Sequence, residues 1–265
     1  MYNVHIKEHR THIGTHLVNS VLKAVKILDT IGKSRPMGIS EISRELKIPK
    51  SSTHGLLQTL ESEGFVEKNE DTNKYNLGTS LIELGYRAQN DLAICRISKP
   101  YLNGINQETD ETVHLTLLDN DEVLYVDCVE SKRRMRTYSV LGIKAPLYCT
   151  AVGKAILAEL PEINIKHIIN TRGLEKLTNC TLTDEISLLQ DLSDTRTRGY
   201  SIDNKEHEDQ LICVGAVIRD AHGEAFASLS VSGPSDRMTE ERIVHIGGLV
   251  KNATQQISRK LGFRE

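Results

Sequence analysis

Residues 40–78 read SEISRELKIPKSSTHGLLQTLESEGFVEKNEDTNKYNLG, and this stretch decides the fold of the chain's N-terminal part. Ser40 is placed to cap a short helix, with Glu41 in its first turn and Ile42 and Leu46 on its buried side. Pro49 cannot continue that helix's hydrogen bonding, so Lys47-Ile48-Pro49-Lys50 is a turn. A second helix starts near Ser51 and runs to Gly64, burying Leu56, Leu57 and Leu60. Two strand-like runs follow, Phe65–Lys68 and Lys74–Leu77, separated by the turn-rich Asn69–Asn73. Two short helices around a tight turn are also found in plain three-helix bundles. The hairpin directly after the second helix is a wing, and it turns the reading into a winged helix-turn-helix.

Upstream, Val18, Val21, Leu22, Val25 and Leu28 recur at helical spacing, with Thr15 or Asn19 as cap and Gly32 as stop. The expected domain is 17–78, preceded by a polar, His-rich 1–16 read as a flexible tail. No apolar run approaches the roughly 20 residues of a membrane span, and the start of the chain lacks the apolar segment of a signal peptide. A cytoplasmic protein without membrane contact is expected. The net charge of −3 hides an asymmetry: residues 1–60 carry nine Lys or Arg against four acids, +5, which leaves −8 for the rest. A basic head on an acidic body suits a DNA-binding module joined to something that does not touch DNA.

Within that module, Lys50, Ser51, Ser52 and Thr53 open the second helix, where hydroxyls, amides and the helix dipole favour phosphate. His54 and Gln58, four apart on the outer face, are candidates for the major groove. Lys68, Lys74 and Tyr75 of the wing are placed to touch the backbone beside it. Glu67, Glu70 and Asp71 are not, so the wing tip points away from phosphate.

Residues 79–110 form a helical stretch that Pro100 is expected to divide into a linker helix, 79–99, and the first helix of a second domain, 100–265. Strands at 111–118 and 122–129 flank Asp119-Asn120-Asp121, a hairpin signal. Helices follow near 150–160 and 183–198, then a hairpin joining 213–218 to 225–232. A last helix, capped by Thr239, runs to Leu261. Strands, hairpins and helices mixed in this way predict an α+β domain on an antiparallel sheet.

The five cysteines, Cys95, Cys128, Cys149, Cys180 and Cys213, are odd in number and contain no C-x-x-C pair, against both a disulfide framework and a structural zinc site. Two enzyme readings compete. Cys149 or Cys213 would be a nucleophile with His207 as base and Asp203 or Glu206 orienting it, or Asp203, His207 and Glu208 would hold a metal. No G-x-S-x-G, H-E-x-x-H or phosphate-loop motif supports either. The reading is therefore no catalytic residue, no metal and no cofactor.

The sequence resembles the IclR family of regulators over nearly its whole length. The resemblance rests on Pro49–His54 with Leu56-Leu57, Tyr75–Gly78, Glu111–Leu115, Pro146–Ala155, Thr181–Thr183, Arg198–Tyr200, Asp203–Glu208, Cys213–Val217 and Leu229–Pro234. It implies a winged helix-turn-helix joined by a helix to a GAF-like effector-binding domain, assembled as a homodimer or homotetramer on double-stranded DNA with a palindromic operator. Carried over residue by residue, the effector pocket would involve Leu141, Ala151, Val152, Asp203, Leu211, Cys213, Ser230 and Ser232. A small carboxylate suits them: amides near Ala151-Val152-Gly153 open a helix, and Ser230 and Ser232 share a strand face. Pro146–Ala151 looks most like family members that govern sugar-acid and ketosugar-acid breakdown, so a hydroxylated or keto sugar acid is the expected effector. Two positions depart from the family's pattern. Gly55 stands where Arg is usual in the recognition helix, and Lys47 where a turn Gly is common. Gly55 keeps open a further reading, a small-molecule sensor that has lost DNA binding.

Overall fold

A computed structural model describes residues 17–34, 36–137 and 141–264. The tail 1–16 and the Thr15 cap lie outside them. The chain divides into two compact units between Asp91 and Leu92.

The first unit contains α1 (Asn19–Lys33), α2 (Ile39–Leu46), α3 (Lys50–Ser62), β1 (Val66–Asn69), β2 (Lys74–Leu77) and α4 (Ser80–Asp91). Its core is Ile27, Ile31, Ile42, Leu57, Leu60, Val66 and Tyr75. On α3 the buried positions Thr53, Leu57 and Leu60 fall at i, i+4 and i+7, while Leu56 is only half-buried. The antiparallel pair β1–β2 runs in register Val66↔Leu77 to Asn69↔Lys74, and Met37 adds a bridge to Tyr75. At the wing tip the Asn69 carboxamide accepts from the Thr72 amide and hydroxyl, both at 2.9 Å, and Asn73 takes φ 54° to close the turn.

Three expectations change here. The α2 cap is Gly38 rather than Ser40: the Gly38 amide donates to Glu41 Oε2 at 2.7 Å, a reciprocal that needs no side chain at the cap. Helix α1 starts after Val18 with no side-chain cap, so Asn19 is its first residue. Its apolar stripe is also not the one the spacing suggested. Ile27 and Ile31 enter the core, whereas Val18, Val21 and Val25 are 63%, 60% and 58% exposed. The sequence holds two apolar stripes on α1, and the unit's own core uses only the C-terminal one.

The second unit begins with α5 (Ala93–Thr109), whose cap Leu92 is extended at φ −69°, ψ 107°. Pro100 lies inside α5, so the break falls at Leu92 instead. A proline inside a packed helix forfeits one backbone bond, and here Ile94, Leu102 and Ile105 are buried on either side of it. There follow β3 (Thr112–Asp119), β4 (Glu122–Val129), β5 (Lys144–Pro146), α6 (Ala151–Leu157), α7 (Glu162–Arg172), α8 (Glu185–Arg198), β6 (Ser201–Asn204), β7 (Leu211–Arg219), β8 (Ala225–Pro234) and α9 (Glu240–Lys260). The sheet is antiparallel throughout, in the order β5-β4-β3-β8-β7-β6. This is the expected α+β architecture. One sheet face packs Val113, Leu115, Val214, Leu229 and Val231 against α5 and α9. The other, toward β4's far end, meets α6, α7 and α8 through Val123, Val152, Ile156 and Leu188. Thr239 caps α9 by accepting from the Arg242 amide. Fully buried Glu111, at the start of the sheet, accepts a two-pronged bond from Arg237 at 2.7 Å on both oxygens and a third contact from Arg242. No helix among the described residues is long and apolar enough to cross a membrane.

Candidate functional site

Each unit presents one polar constellation. On the first, α3 carries Lys50, Ser51, Ser52, His54 and Gln58 on its exposed side. Its cap, Pro49, offers no side-chain acceptor, so the first amides of a thirteen-residue helix are left for an anion. Lys68 and Lys74 are half-buried on the wing, Lys68 3.5 Å from Glu70. Two candidates do not belong to this surface. Thr53 is fully buried and its hydroxyl donates to the Pro49 carbonyl at 3.2 Å. Tyr75 is 2% exposed and forms part of the core; Lys68, its direct partner across β1 and β2, shares that face and is half-buried beside it, while Lys74, one residue along, lies on the other face. Lys47, which stands where a turn Gly is common in the family, takes the left-handed conformation that glycine favours, at φ 52°, ψ 38°. A methyl group built on Gly55 would meet nothing within 4 Å, so a side chain fits there.

On the second unit, strand register builds the constellation. Asp203 pairs with Cys213 and Cys213 with Ser232; one step along, Ser230 pairs with His114 and Gly215. Directly paired residues share a face, as do residues two apart, so Asp203, Cys213, Ser230, Ser232 and His114 all lie on the face that meets α6. Leu211, two before Cys213, is half-buried on that side. Ala151 and Val152 are each 1% exposed at the start of α6, above this row. Ser201 donates to the Ala151 carbonyl, and Ser228 to the Val152 carbonyl at 2.9 Å, which pins α6 to the sheet. Gly153 lets α6 lie on the Leu147 backbone, where an added Cβ would come within 2.4 Å. Of the three amides singled out for an anion, that of Gly153 is already given to Thr150 Oγ1 at 3.1 Å, which leaves Ala151 and Val152. Leu141 stands apart, 47% exposed in a turn whose Gly142 amide donates to the Tyr125 carbonyl at 2.9 Å.

Burial sets the protonation of this face. Asp203 is 3% exposed, and desolvation pushes its carboxyl up to about 7 despite the amides of Glu206 and His207 that it accepts at 2.8 and 3.4 Å. Desolvation also lowers His114 to about 4 and raises Tyr125, so the imidazole and phenol that meet edge to face, centroids 5.3 Å apart, are neutral. Cys149 is pushed up to about 12 by burial and the nearby Asp203, and Cys213 rises well above the ordinary thiol value. Burial thus holds both thiols toward the protonated form, in which a cysteine is a poor nucleophile. His207 is lowered by burial and stands 3.8 Å from Glu208. Among the described residues no three His, Cys, Asp or Glu side chains are grouped to hold a metal ion.

Sequence reasoning missed three parts. His114 was an ordinary strand residue until register paired it with Ser230, and Tyr125 until its ring met that imidazole edge to face. Lys154, fully buried in α6, reaches Glu206 at 2.5 Å and Asp191 at 3.0 Å, tying the Asp203–Glu206 turn to α8. Only the oddity of a lysine in the apolar run Ala151–Leu157 hinted at this pair.

Residues 87–259 match the family described as the C-terminal domain of bacterial transcriptional regulator IclR, and residues 20–70 match the IclR helix-turn-helix domain. The chain is 34% identical to the HTH-type transcriptional regulator KdgR of Escherichia coli K12 over 248 residues, 94% of each chain. It is 32% identical to the transcriptional repressor IclR of the same organism over 251 residues, 94% of this chain and 92% of the relative. The crystal structure of the Thermotoga maritima IclR superimposes with a TM-score of 0.74 at 37% identity, covering 93% of this chain and all of that one.

Proposed function

We propose, because the chain belongs to the IclR family of bacterial transcriptional regulators, that its DNA-binding head is switched by a small carboxylate, a hydroxylated or keto sugar acid, held against the polar sheet face of the second unit. The observation that carries the effector reading is the shared face of Asp203, Cys213, Ser230 and Ser232 beneath the Ala151 and Val152 amides. That face offers neutral donors to an anion and, in Asp203, a carboxyl able to bond a ligand hydroxyl. Lys50, Ser51, Ser52, His54 and Gln58 are the proposed contacts to DNA, with Lys68 and Lys74 on its backbone.

The working unit is a homodimer. The exposed row Val21, Leu22 and Val25 on α1, with Val18 at its cap, supports this, since neighbouring apolar side chains gain by being covered. A dimer holds two α3 helices at half-sites of a palindromic operator, about 34 Å apart. The effector acts by changing that separation through α4, the proposed linker.

Fluorescence anisotropy of the full chain on promoter fragments, with and without 2-keto-D-gluconate or D-gluconate, tests both halves. A shift of affinity with either sugar acid supports the reading. Unchanged binding, together with thermal stabilisation only by apolar aromatic acids, replaces the effector class.

A further inference from the structure

Strand β7 runs on past the end of its edge neighbour. The last pair between β6 and β7 is Ser201↔Gly215, so among the described residues no strand covers the outer edge of 216–219. The Lys205 amide donates to the Leu211 carbonyl on that edge, and alternation along β7 turns the Val217 amide and carbonyl to the same side. A cavity of about 190 Å³ lies there, walled by the C-terminal ends of α6 and α8 and by α9. Val217 is four residues along β7 from Cys213, about 13 Å, so the cavity is separate from the row that contains Cys213.

Among the described residues, three cations line this cavity, Arg196, Arg219 and Lys251, against one carboxylate, Glu159. They make a local surplus of two positive charges in the part of the chain that is otherwise acidic. Helix capping accounts for some of it. Arg196 Nε donates to the Ala158 carbonyl at the end of α6, and Lys251 Nζ to the Arg198 carbonyl at the end of α8, at 3.3 Å. Arg219 pairs with Glu159 at 2.7 Å. A guanidinium has five N–H donors and an ammonium three, so capping and pairing leave most of the donors unspent. Gly199 keeps the ammonium close, since a Cβ there would come within 2.7 Å of Lys251 Nζ.

We propose that this cavity is a second ligand site, which binds a phosphate group, free or carried on a short metabolite. A phosphate carries a charge of about −1.5 to −2 at neutral pH, which matches the surplus. Its oxygens suit two guanidinium forks and an ammonium, and the Val217 amide adds a backbone donor. Glu159 is the internal competitor: the phosphate takes Arg219 from it. The volume falls below the roughly 300 Å³ at which pockets for drug-sized ligands begin, which confines the occupant to a phosphate with a few carbons at most. The site is cationic where the face beneath α6 offers neutral donors, and it stands whichever effector that face holds.

The test is calorimetry of the full chain with inorganic phosphate and with glycerol 3-phosphate, at constant ionic strength. Saturable binding of one or both is expected. Arg219→Gln should weaken it by about tenfold or more, the size of a lost hydrogen bond to a charged group. Glu159→Gln should tighten it by roughly two- to fivefold, the size of a surface ion pair no longer competing. Loss of packing alone would not produce that opposite shift. Binding of inorganic phosphate alone identifies the free ion as occupant, and an ester bound as tightly or more tightly identifies a phosphorylated metabolite. No saturable binding of either probe overturns the proposal. Unchanged affinity in Arg219→Gln also overturns it, since the phosphate would then sit elsewhere, for example at the start of α3. Should Arg219→Gln fail to fold, Glu159→Gln decides alone, and unchanged or weaker binding in it overturns the proposal.

Discussion

Gly55 and Asp203 are the two residues at which single substitutions test the proposed function most directly. Gly55 sits in mid-α3 with open space where a side chain would go. Glycine costs a helix interior about 1 kcal/mol relative to alanine, so Gly55→Ala should raise stability by about that much in denaturant titration. Gly55→Arg should tighten binding to the same promoter fragment and steepen its salt dependence by about one phosphate contact. Equal affinity for both forms would mean that this position does not face DNA. Asp203 links the second unit to pH. Its folded value of about 7 lies above the ordinary aspartate value. Between those two pH values the native state keeps a proton that the unfolded chain has lost, so stability falls as pH rises from about 4 to about 7 and then levels. Neutral His114, lowered to about 4, acts with the opposite sign between about 4 and 6.5. The Asp203→Asn difference curve isolates the first effect, and the variant should gain on the order of 2–4 kcal/mol relative to wild type between pH 4 and 8. A flat difference would mean the Asp203 carboxyl titrates normally.

At the scale of elements, legibility followed local chemistry. The turn at Lys47–Lys50, the wing and the Thr239 cap were readable because Pro, Gly, Asn and hydroxyl residues act on their own neighbours. What escaped depends on long-range contacts. The Val18–Val25 row looked like a core stripe because periodicity reports apolarity, not what covers it; Ile27 and Ile31 were chosen by the position of α2 and α3. Thr53 and Tyr75 looked like DNA contacts because their chemistry fits, yet helix phase and strand alternation turn both inward. Helix α7 was missed since its isoleucines form no stripe: Ile165 and Ile168 are buried and Ile163 is 77% exposed. The short β5 and β6 gain their definition from pairing with β4 and β7. The role of the exposed α1 row is open to direct trial. Val21→Glu with Val25→Glu should convert a dimer to monomer in light scattering and weaken operator binding, while leaving the far-ultraviolet spectrum unchanged. A dimer of undiminished affinity would assign subunit contact to another surface.

For the whole molecule, charge and family converge. The sequence divided the chain into a basic head and an acidic body, and the family blocks in order along the chain gave the regulator reading before any geometry. The candidate effector site was legible only in part, since Asp203, Cys213, Ser230 and Ser232 lie on three different strands whose register no sequence pattern supplies. The central claim is that α3 and the wing of this chain bind DNA, and its most direct test is a salt titration of the full-length protein on promoter fragments by fluorescence anisotropy. Binding that is firm at low salt and falls log-linearly, with a slope near −0.9 for each phosphate contacted by Lys50, Lys68, Lys74 and their symmetry mates, is the predicted result. No retention of DNA even at the lowest salt would contradict the account and leave a sensor without DNA binding.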